Sequence, residues 1–113
     1  MKTAVSLTRK LALEERRTMP DGAGGFVVSW VVLGFLWAQV TPRSGTEFFA
    51  SFAPRSRILH RILVRAAPPG APSRPRPEQR FREGERVFDI LSVTEASLSA
   101  RYLEIQAEEG RTS

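Results

Sequence analysis

The chain has 113 residues, enough for one small domain and too few for two. At 42% hydrophobic and 26% charged residues its composition is not that of a disordered chain, and the absence of cysteine excludes a disulfide framework and a thiolate metal site. The formal charge is +5, and 15 of the 17 basic residues are arginine, which favours pairing with phosphate or carboxylate but is equally expected from a GC-rich coding sequence. Charge returns at Arg9 before an apolar segment forms, so we expect no secretory signal peptide.

The first strand is predicted near the N-terminus. Over residues 4–13 apolar side chains at Val5, Leu7, Leu11 and Leu13 alternate with polar ones, a period of two that predicts a strand with one solvent-facing side. Residues 14–20 are polar and can continue this strand into solvent. The segment DGAGG at residues 21–25 then predicts a hairpin turn.

The segment Phe26–Val40 contains fifteen residues without charge. As a helix it would span about 22 Å of a bilayer core roughly 30 Å thick, which is too short. Its many β-branched and aromatic residues favour a long strand, with Gly34 as a bend or bulge. Part of this strand is expected to be buried on both faces, by the barrel itself or by another subunit. A membrane-anchoring helix is the least favoured alternative.

The middle of the chain holds an aromatic cluster and a proline-rich loop. Phe48, Phe49 and Phe52 follow a loop at residues 41–49 and are expected to pack in the core or to form a self-association surface. Residues 56–66 favour a strand over a helix because of their β-branched content. Residues 66–80 contain five prolines, which exclude a helix or central strand and predict an extended loop or arm.

The C-terminal part predicts a hairpin. Residues 86–93 and 101–107 alternate between apolar and polar side chains, a turn lies near Glu95–Ser99, and residues 108–113 are predicted to be a frayed tail. The acidic pairs at residues 14–15 and 108–109 are interpreted as solvated element ends. The sequence thus predicts one all-β domain over residues 1–113, a small antiparallel β-barrel or sandwich of about six strands with a long Pro/Arg-rich loop.

The sequence offers no catalytic or cofactor-binding motif. His60 is the single histidine, and a lone histidine in a strand is usually packed or exposed rather than a ligand. We therefore expect no metal, no cofactor and no enzymatic activity. From Arg55 to Arg86 nine arginines face three acidic residues. Such an arm can lie along phosphates without reading bases, or it can be a solubilising loop that pairs with acidic neighbours.

The order of these motifs resembles one known family, the phage head–tail joining proteins, also called head-completion or stopper proteins. The matching positions are Asp21-Gly22, Gly24-Gly25, Trp30, Trp37-Ala38, Val40, Pro42, Ser44-Gly45 and Glu47, followed by HRILVR at residues 60–65, RVFDILSV at 86–93 and ARYLEIQAEE at 100–109. The Arg- and Pro-rich style is similar to the versions found in gene transfer agents, which are phage-derived particles.

The resemblance implies a structural role. Such proteins form a ring below the portal and adaptor, close the DNA-filled head and receive the tail through a tail terminator or tube. It implies a homo-oligomer of six subunits, alternatively twelve, in the neck of the particle. The ring would be assembled in the bacterial cytoplasm, would contact packaged DNA non-specifically and would involve no membrane. Under this hypothesis Arg74, Arg76, Arg80 and Arg82 face the DNA channel, and the arm either plugs that channel or docks on a neighbour. Subunit contacts would use Phe48, Phe49, Phe52, Trp30 and Trp37. The alternative is a small basic nucleic-acid-binding module that uses residues 55–86.

Overall fold

Six antiparallel strands form a closed barrel. The computed structural model describes residues 5–43, 58–96 and 101–110. The strands are β1 (Arg9–Pro20), β2 (Phe26–Pro42), β3 (Ile58–Arg65), β4 (Arg80–Glu83), β5 (Arg86–Glu95) and β6 (Tyr102–Gly110). Their order around the barrel is β1-β2-β3-β6-β5-β4, and β4 pairs with β1 to close it. The prediction of a six-stranded all-β barrel is confirmed, and strands are the only regular elements in these three ranges.

The core is built from the inward face of each strand. Alternate residues point to opposite sides of a strand, so each strand supplies every second side chain. Side chains that are fully or almost fully buried come from all six strands, and they include Leu11, Leu13, Ala38, Ile62, Val64, Phe81, Phe88, Leu103 and Ile105. Burying such side chains stabilises the barrel by about 1.5–3 kcal/mol each.

The β1–β2 hairpin is longer than the barrel wall. β1 pairs with β2 along its whole length, but β4 covers only Ala12–Glu14 of β1 and β3 covers only Ala38–Pro42 of β2. The far half of the hairpin is therefore a two-stranded ribbon, and the outer edge of β2 over residues 26–37 has no partner strand among the described residues.

The predicted DGAGG turn closes this hairpin. Asp21 Oδ1 accepts hydrogen bonds from the backbone N–H groups of Ala23 (2.7 Å) and Gly25 (3.0 Å). These two bonds lower the pKa of the Asp21 carboxyl, since they stabilise its charged form. Gly22 and Gly24 have φ of 84° and 88°, the left-handed region in which glycine is least strained.

A β-bulge interrupts the hairpin near Gly34, as predicted. Leu13 is paired with Gly34 but Glu14 is paired with Val32, so Leu33 is an extra residue on β2. Each bulge of this kind shifts the alternation of side chains by one residue. The residues of β2 on the two sides of the bulge therefore need opposite parity to point to the same face.

Two strand boundaries differ from the sequence prediction. β1 begins at Arg9 rather than near residue 4, whereas its predicted continuation through residues 14–20 is confirmed and pairs with β2 up to Pro20. β6 continues to Gly110, so residues 108–110 are not part of a frayed tail. They pair with β3 and β5. Glu108 and Glu109 therefore lie within a paired strand and not at the solvated strand end that the sequence predicts. The short strand β4 was not resolved from the sequence as a separate element.

The prediction of a strand over Phe26–Val40 is confirmed, and its burial by another subunit stays a prediction. The segment lies within β2, so the alternative of a membrane-anchoring helix is wrong. Within a single chain, however, one face of β2 is open: Phe26, Phe35 and Trp37 are 72%, 61% and 55% exposed. On this face Arg80 lies over the Trp30 ring and Lys10 lies against the Phe35 ring. No helix in the described ranges has the length and apolar character needed to cross a membrane.

Candidate interaction surfaces

Two of the four predicted channel arginines surround a buried carboxylate. Arg80 Nε donates to Glu14 Oε1 at 2.7 Å, and Arg82 Nη1 lies 3.6 Å from Glu14 Oε2. The register explains this arrangement, because β4 pairs Arg80 with Glu14 and Arg82 with Ala12. Glu14 is only 3% exposed, so its interpretation as a solvated end is wrong. A buried carboxylate needs such partners to offset its lost hydration.

Arg80 also links this ion pair to the hairpin. Its Cζ lies 4.0 Å from the centroid of the Trp30 ring, a cation–π contact, and its side chain is 18% exposed. Arg80 therefore joins β4, β1 and β2 on the outer wall of the barrel. Its principal contacts are structural.

The other two arginines fix the proline-rich loop, Arg74 within the loop and Arg76 against the hairpin. Arg74 Nη1 donates to the Ala67 carbonyl at 3.0 Å, within the loop. Arg76 Nη2 lies 2.9 Å from Glu15 Oε1 on β1, and the Arg76 backbone N–H donates to Gln79 Oε1 at 2.8 Å. Gln79 is buried. Residues 66–79 thus fold back onto the base of the hairpin through specific bonds.

A chain of ion pairs and hydrogen bonds spans five strands at the opposite end of the strands from the hairpin turn. It runs from Arg9 on β1 to Glu83 on β4, then to Arg86 on β5, Glu109 on β6 and His60 on β3. Arg86 binds both Glu109 oxygens, at 2.8 and 3.0 Å. The bond from Arg86, helped by that from His60, lowers the pKa of Glu109, and the bond from Arg9 lowers the pKa of Glu83. The partner carboxylates in turn raise the pKa of Arg9 and of Arg86.

His60 is a packed histidine, as the sequence suggested. Its Nε2 lies 2.8 Å from Glu109 Oε1, and its ring meets Phe88 edge-on with the centroids 5.1 Å apart. Nδ1 is buried without a hydrogen-bond partner. In the described ranges no three His, Cys, Asp or Glu side chains are grouped so as to hold a metal ion.

The outer face of β2 forms a continuous apolar strip, which we call the β2 stripe. It consists of Phe26, Val28, Trp30 and Val32 before the bulge and Phe35 and Trp37 after it. All six are paired with β1 residues of one parity, from Pro20 to Lys10, so they point to the same side. The bulge is what makes this possible, because even-numbered residues precede it and odd-numbered residues follow it.

The sequence-based prediction of interface residues found part of this stripe. Trp30 and Trp37 belong to it, whereas the four other members were read only as one apolar strand. The signal that identifies these four residues is an apolar segment in which large side chains occupy even-numbered positions before a glycine and odd-numbered positions after it. Phe48, Phe49 and Phe52 lie outside the described residues.

The fold and these surfaces define a small antiparallel barrel that presents an apolar stripe and a set of paired arginines to its surroundings. The family model for the phage head completion protein matches residues 2–110, and the chain belongs to this family. The family is a structural one and not a family of enzymes.

Two solved structures resemble the chain over nearly its whole length. A protein from the virion of a native gene transfer agent particle shares 41% identity, with a TM-score of 0.73, over 98% of this chain and 100% of that one. Protein SF1141 from Shigella flexneri 2a has a TM-score of 0.66 at 23% identity, over 95% of this chain and 96% of its own, and supports the fold alone. A search of curated proteins finds no match.

Proposed function

We propose that the chain is the head–tail connector, or stopper, subunit of a phage-like particle, and that its ring closes the DNA-filled head and attaches the tail. The observation that carries this proposal is the 41% identity, over 98% of this chain and 100% of the other, with a protein of a gene transfer agent virion. Membership of the head completion family supports the same position in the particle.

The proposed partners follow from this position. Copies of the chain form a ring of six or twelve in the neck, with an adaptor or portal ring above and a tail terminator or tube below, assembled in the bacterial cytoplasm. A ring subunit must offer apolar surface to its neighbours. The β2 stripe, open in the single chain, is a surface of this type.

Contact with packaged DNA would be non-specific and weak. Of the seven described arginines between residues 58 and 86, five lie in ion pairs with glutamates: Arg61, Arg76, Arg80, Arg82 and Arg86. Such pairing lowers the charge available for phosphates, which disfavours the alternative of a dedicated nucleic-acid-binding module. Of the four candidates, Arg76 and Arg82 are exposed whereas Arg74 and Arg80 are partly buried, so Arg76 and Arg82 remain the candidates for facing DNA.

The proposal is tested by deleting the coding sequence in a strain that makes the particle. We expect heads without attached tails and a loss of nuclease-protected DNA, both restored by supplying the chain from a plasmid. Electron microscopy counts the tails, and quantitative PCR after nuclease treatment measures the DNA. Tailed, DNA-filled particles in normal numbers without the chain would overturn the proposal.

A further inference from the structure

The β2 stripe is large enough to be a protein contact surface. With aromatic side chains covering roughly 150–250 Å² each, its exposed parts amount to about 500–600 Å². That is at the upper end of the largest apolar patch on an ordinary monomer, roughly 300–600 Å², and approaches the ~800 Å² that each partner contributes to a standard interface. The edge of β2 beside it lacks a partner strand in the described ranges, and proteins normally cover or charge such an edge.

The outer wall formed by β5 and β6 lies on the side of the barrel away from β2. In the order β1-β2-β3-β6-β5-β4, β5 lies three strands from β2 in either direction. β5 has its own bulge, between Ile90 and Ser92, and the extra residue Leu91 is 50% exposed. Leu91 is therefore an apolar side chain set on the far wall.

The two walls also carry opposite charge. β1, which borders the stripe, contains four basic and two acidic residues, whereas β2 itself has no charge. Lys10 and Arg16 lie on the stripe side of β1, and Lys10 Nζ is 5.0 Å from the Phe35 ring centroid. On the outer side of β5 and β6 the acidic residues are Asp89, Glu104 and Glu108, of which Glu104 is paired with Arg61 of β3. Asp89 and Glu108 are paired with each other across these two strands, beside Leu91.

We propose that the β2 stripe of one copy docks on the outer β5–β6 wall of the next copy. The contact joins two different surfaces on opposite sides of the barrel, so it is head-to-tail, and its repetition builds a ring when the rotation between copies closes. Apolar contact between the stripe and Leu91 lies at the centre, and the basic β1 residues face the acidic wall at the rim. This inference rests on the proposed ring function and assigns the surfaces that form the ring.

Disulfide cross-linking tests the contact, because the chain has no cysteine of its own. Phe35→Cys marks the stripe and Leu91→Cys marks the opposite wall. Ile58→Cys is the matched control: Ile58 is 48% exposed, similar to Leu91, but lies at the start of β3, off both surfaces. All three positions are exposed, and circular dichroism checks that each variant keeps its strands.

In mixtures of two purified single-cysteine variants under mild oxidation, we expect the Phe35→Cys and Leu91→Cys pair to cross-link at least ten-fold more than Phe35→Cys with Ile58→Cys. Equal yields, or a predominance of Phe35→Cys homodimers, would overturn the head-to-tail contact. In particles that carry the double variant F35C/L91C, we expect a ladder of cross-linked oligomers that ends at the ring size. A chain present in the neck without such a ladder overturns this interface and leaves the proposed function intact, whereas a chain absent from the neck overturns the proposed function itself.

Discussion

Glu14 illustrates at the residue scale how this barrel uses its charges. The sequence shows it as one of two adjacent acids followed by two arginines, a pattern typical of a solvated segment. The structure buries it because β4, more than sixty residues later, places Arg80 beside it. Periodicity within β1 does not reveal a partner on a distant strand, which is why the sequence led to the wrong interpretation of Glu14 and to a channel role for Arg80.

Replacing Arg80 therefore tests structure rather than DNA contact. We expect Arg80→Ala to lower the free energy of unfolding by about 2–3 kcal/mol, since Glu14 would remain buried without its 2.7 Å partner. The matched change Arg82→Ala removes a more exposed side chain at 3.6 Å and should cost less than about 1 kcal/mol. Urea unfolding of both variants measures the difference, and equal losses would contradict the role given to Arg80.

Acid should destabilise the barrel through the ion-pair chain. The pKa values of Glu83 and Glu109 are lowered in the folded state, so their contribution is present above the unfolded pKa near 4.3 and is lost as the pH falls through the folded-state values. We expect the free energy of unfolding to be lower at pH 3 than at pH 7, and Glu109→Gln to reduce this difference. Glu85→Gln, at an exposed position in the β4–β5 turn, is the charge-matched control. An unchanged pH dependence in Glu109→Gln would argue against this account.

The exposed arginines are the ones to change when DNA contact is tested. We expect the double variant R76S/R82S to keep its strands, by circular dichroism, because both guanidinium groups are largely solvated. If these groups face packaged DNA, particles built with the variant should retain less nuclease-protected DNA or attach fewer tails. Arg65→Ser is the control, because it removes one exposed positive charge at the end of β3 and leaves Arg76 and Arg82 in place. Normal DNA retention and normal tails would contradict the DNA-facing assignment.

At the element scale, the β1–β2 hairpin shows which features a local sequence predicts and which one it leaves open. Its strand identity, its turn and its bulge follow from local chemistry: β-branched residues, an Asp-Gly pair and a glycine in an apolar run. The exposure of its apolar face does not follow from local chemistry. An apolar strand has the same sequence pattern whether its own chain or another chain buries it. The open stripe is thus the point at which the isolated chain departs from an ordinary soluble barrel.

Two glycines of this hairpin, Gly24 and Gly34, should respond oppositely to replacement by alanine. Gly24 has φ of 88°, so Gly24→Ala forces a left-handed alanine and should cost about 1–2 kcal/mol. Gly34, at the bulge, does not have a left-handed φ, and an added Cβ would meet nothing within 4 Å. Gly34→Ala should therefore be neutral or stabilising by up to about 1 kcal/mol. Thermal unfolding compares the two, and a larger loss for Gly34→Ala would mean that the bulge itself requires glycine.

At the scale of the whole molecule, the chain is a closed barrel that leaves an apolar stripe exposed, which is the kind of surface that a subunit of a larger assembly buries against its neighbours. The count of strands, their antiparallel arrangement and the family were accessible from motif order and alternation. The barrel order was not, since β3 pairs with β6 and β4 with β1 across long stretches of chain. The same order places the stripe and the acidic wall on different strands of the barrel, and a head-to-tail contact joins two different surfaces.

The central claim is that copies of this chain form a ring in the neck of a phage-like particle. Cryo-electron microscopy of purified particles, with the neck reconstructed at a resolution that separates strands, tests it most directly. We predict six or twelve copies of the barrel between head and tail, each with its β2 stripe covered by the β5–β6 wall of a neighbour. A neck that lacks the barrel, or a barrel found only elsewhere in the particle, would contradict the claim.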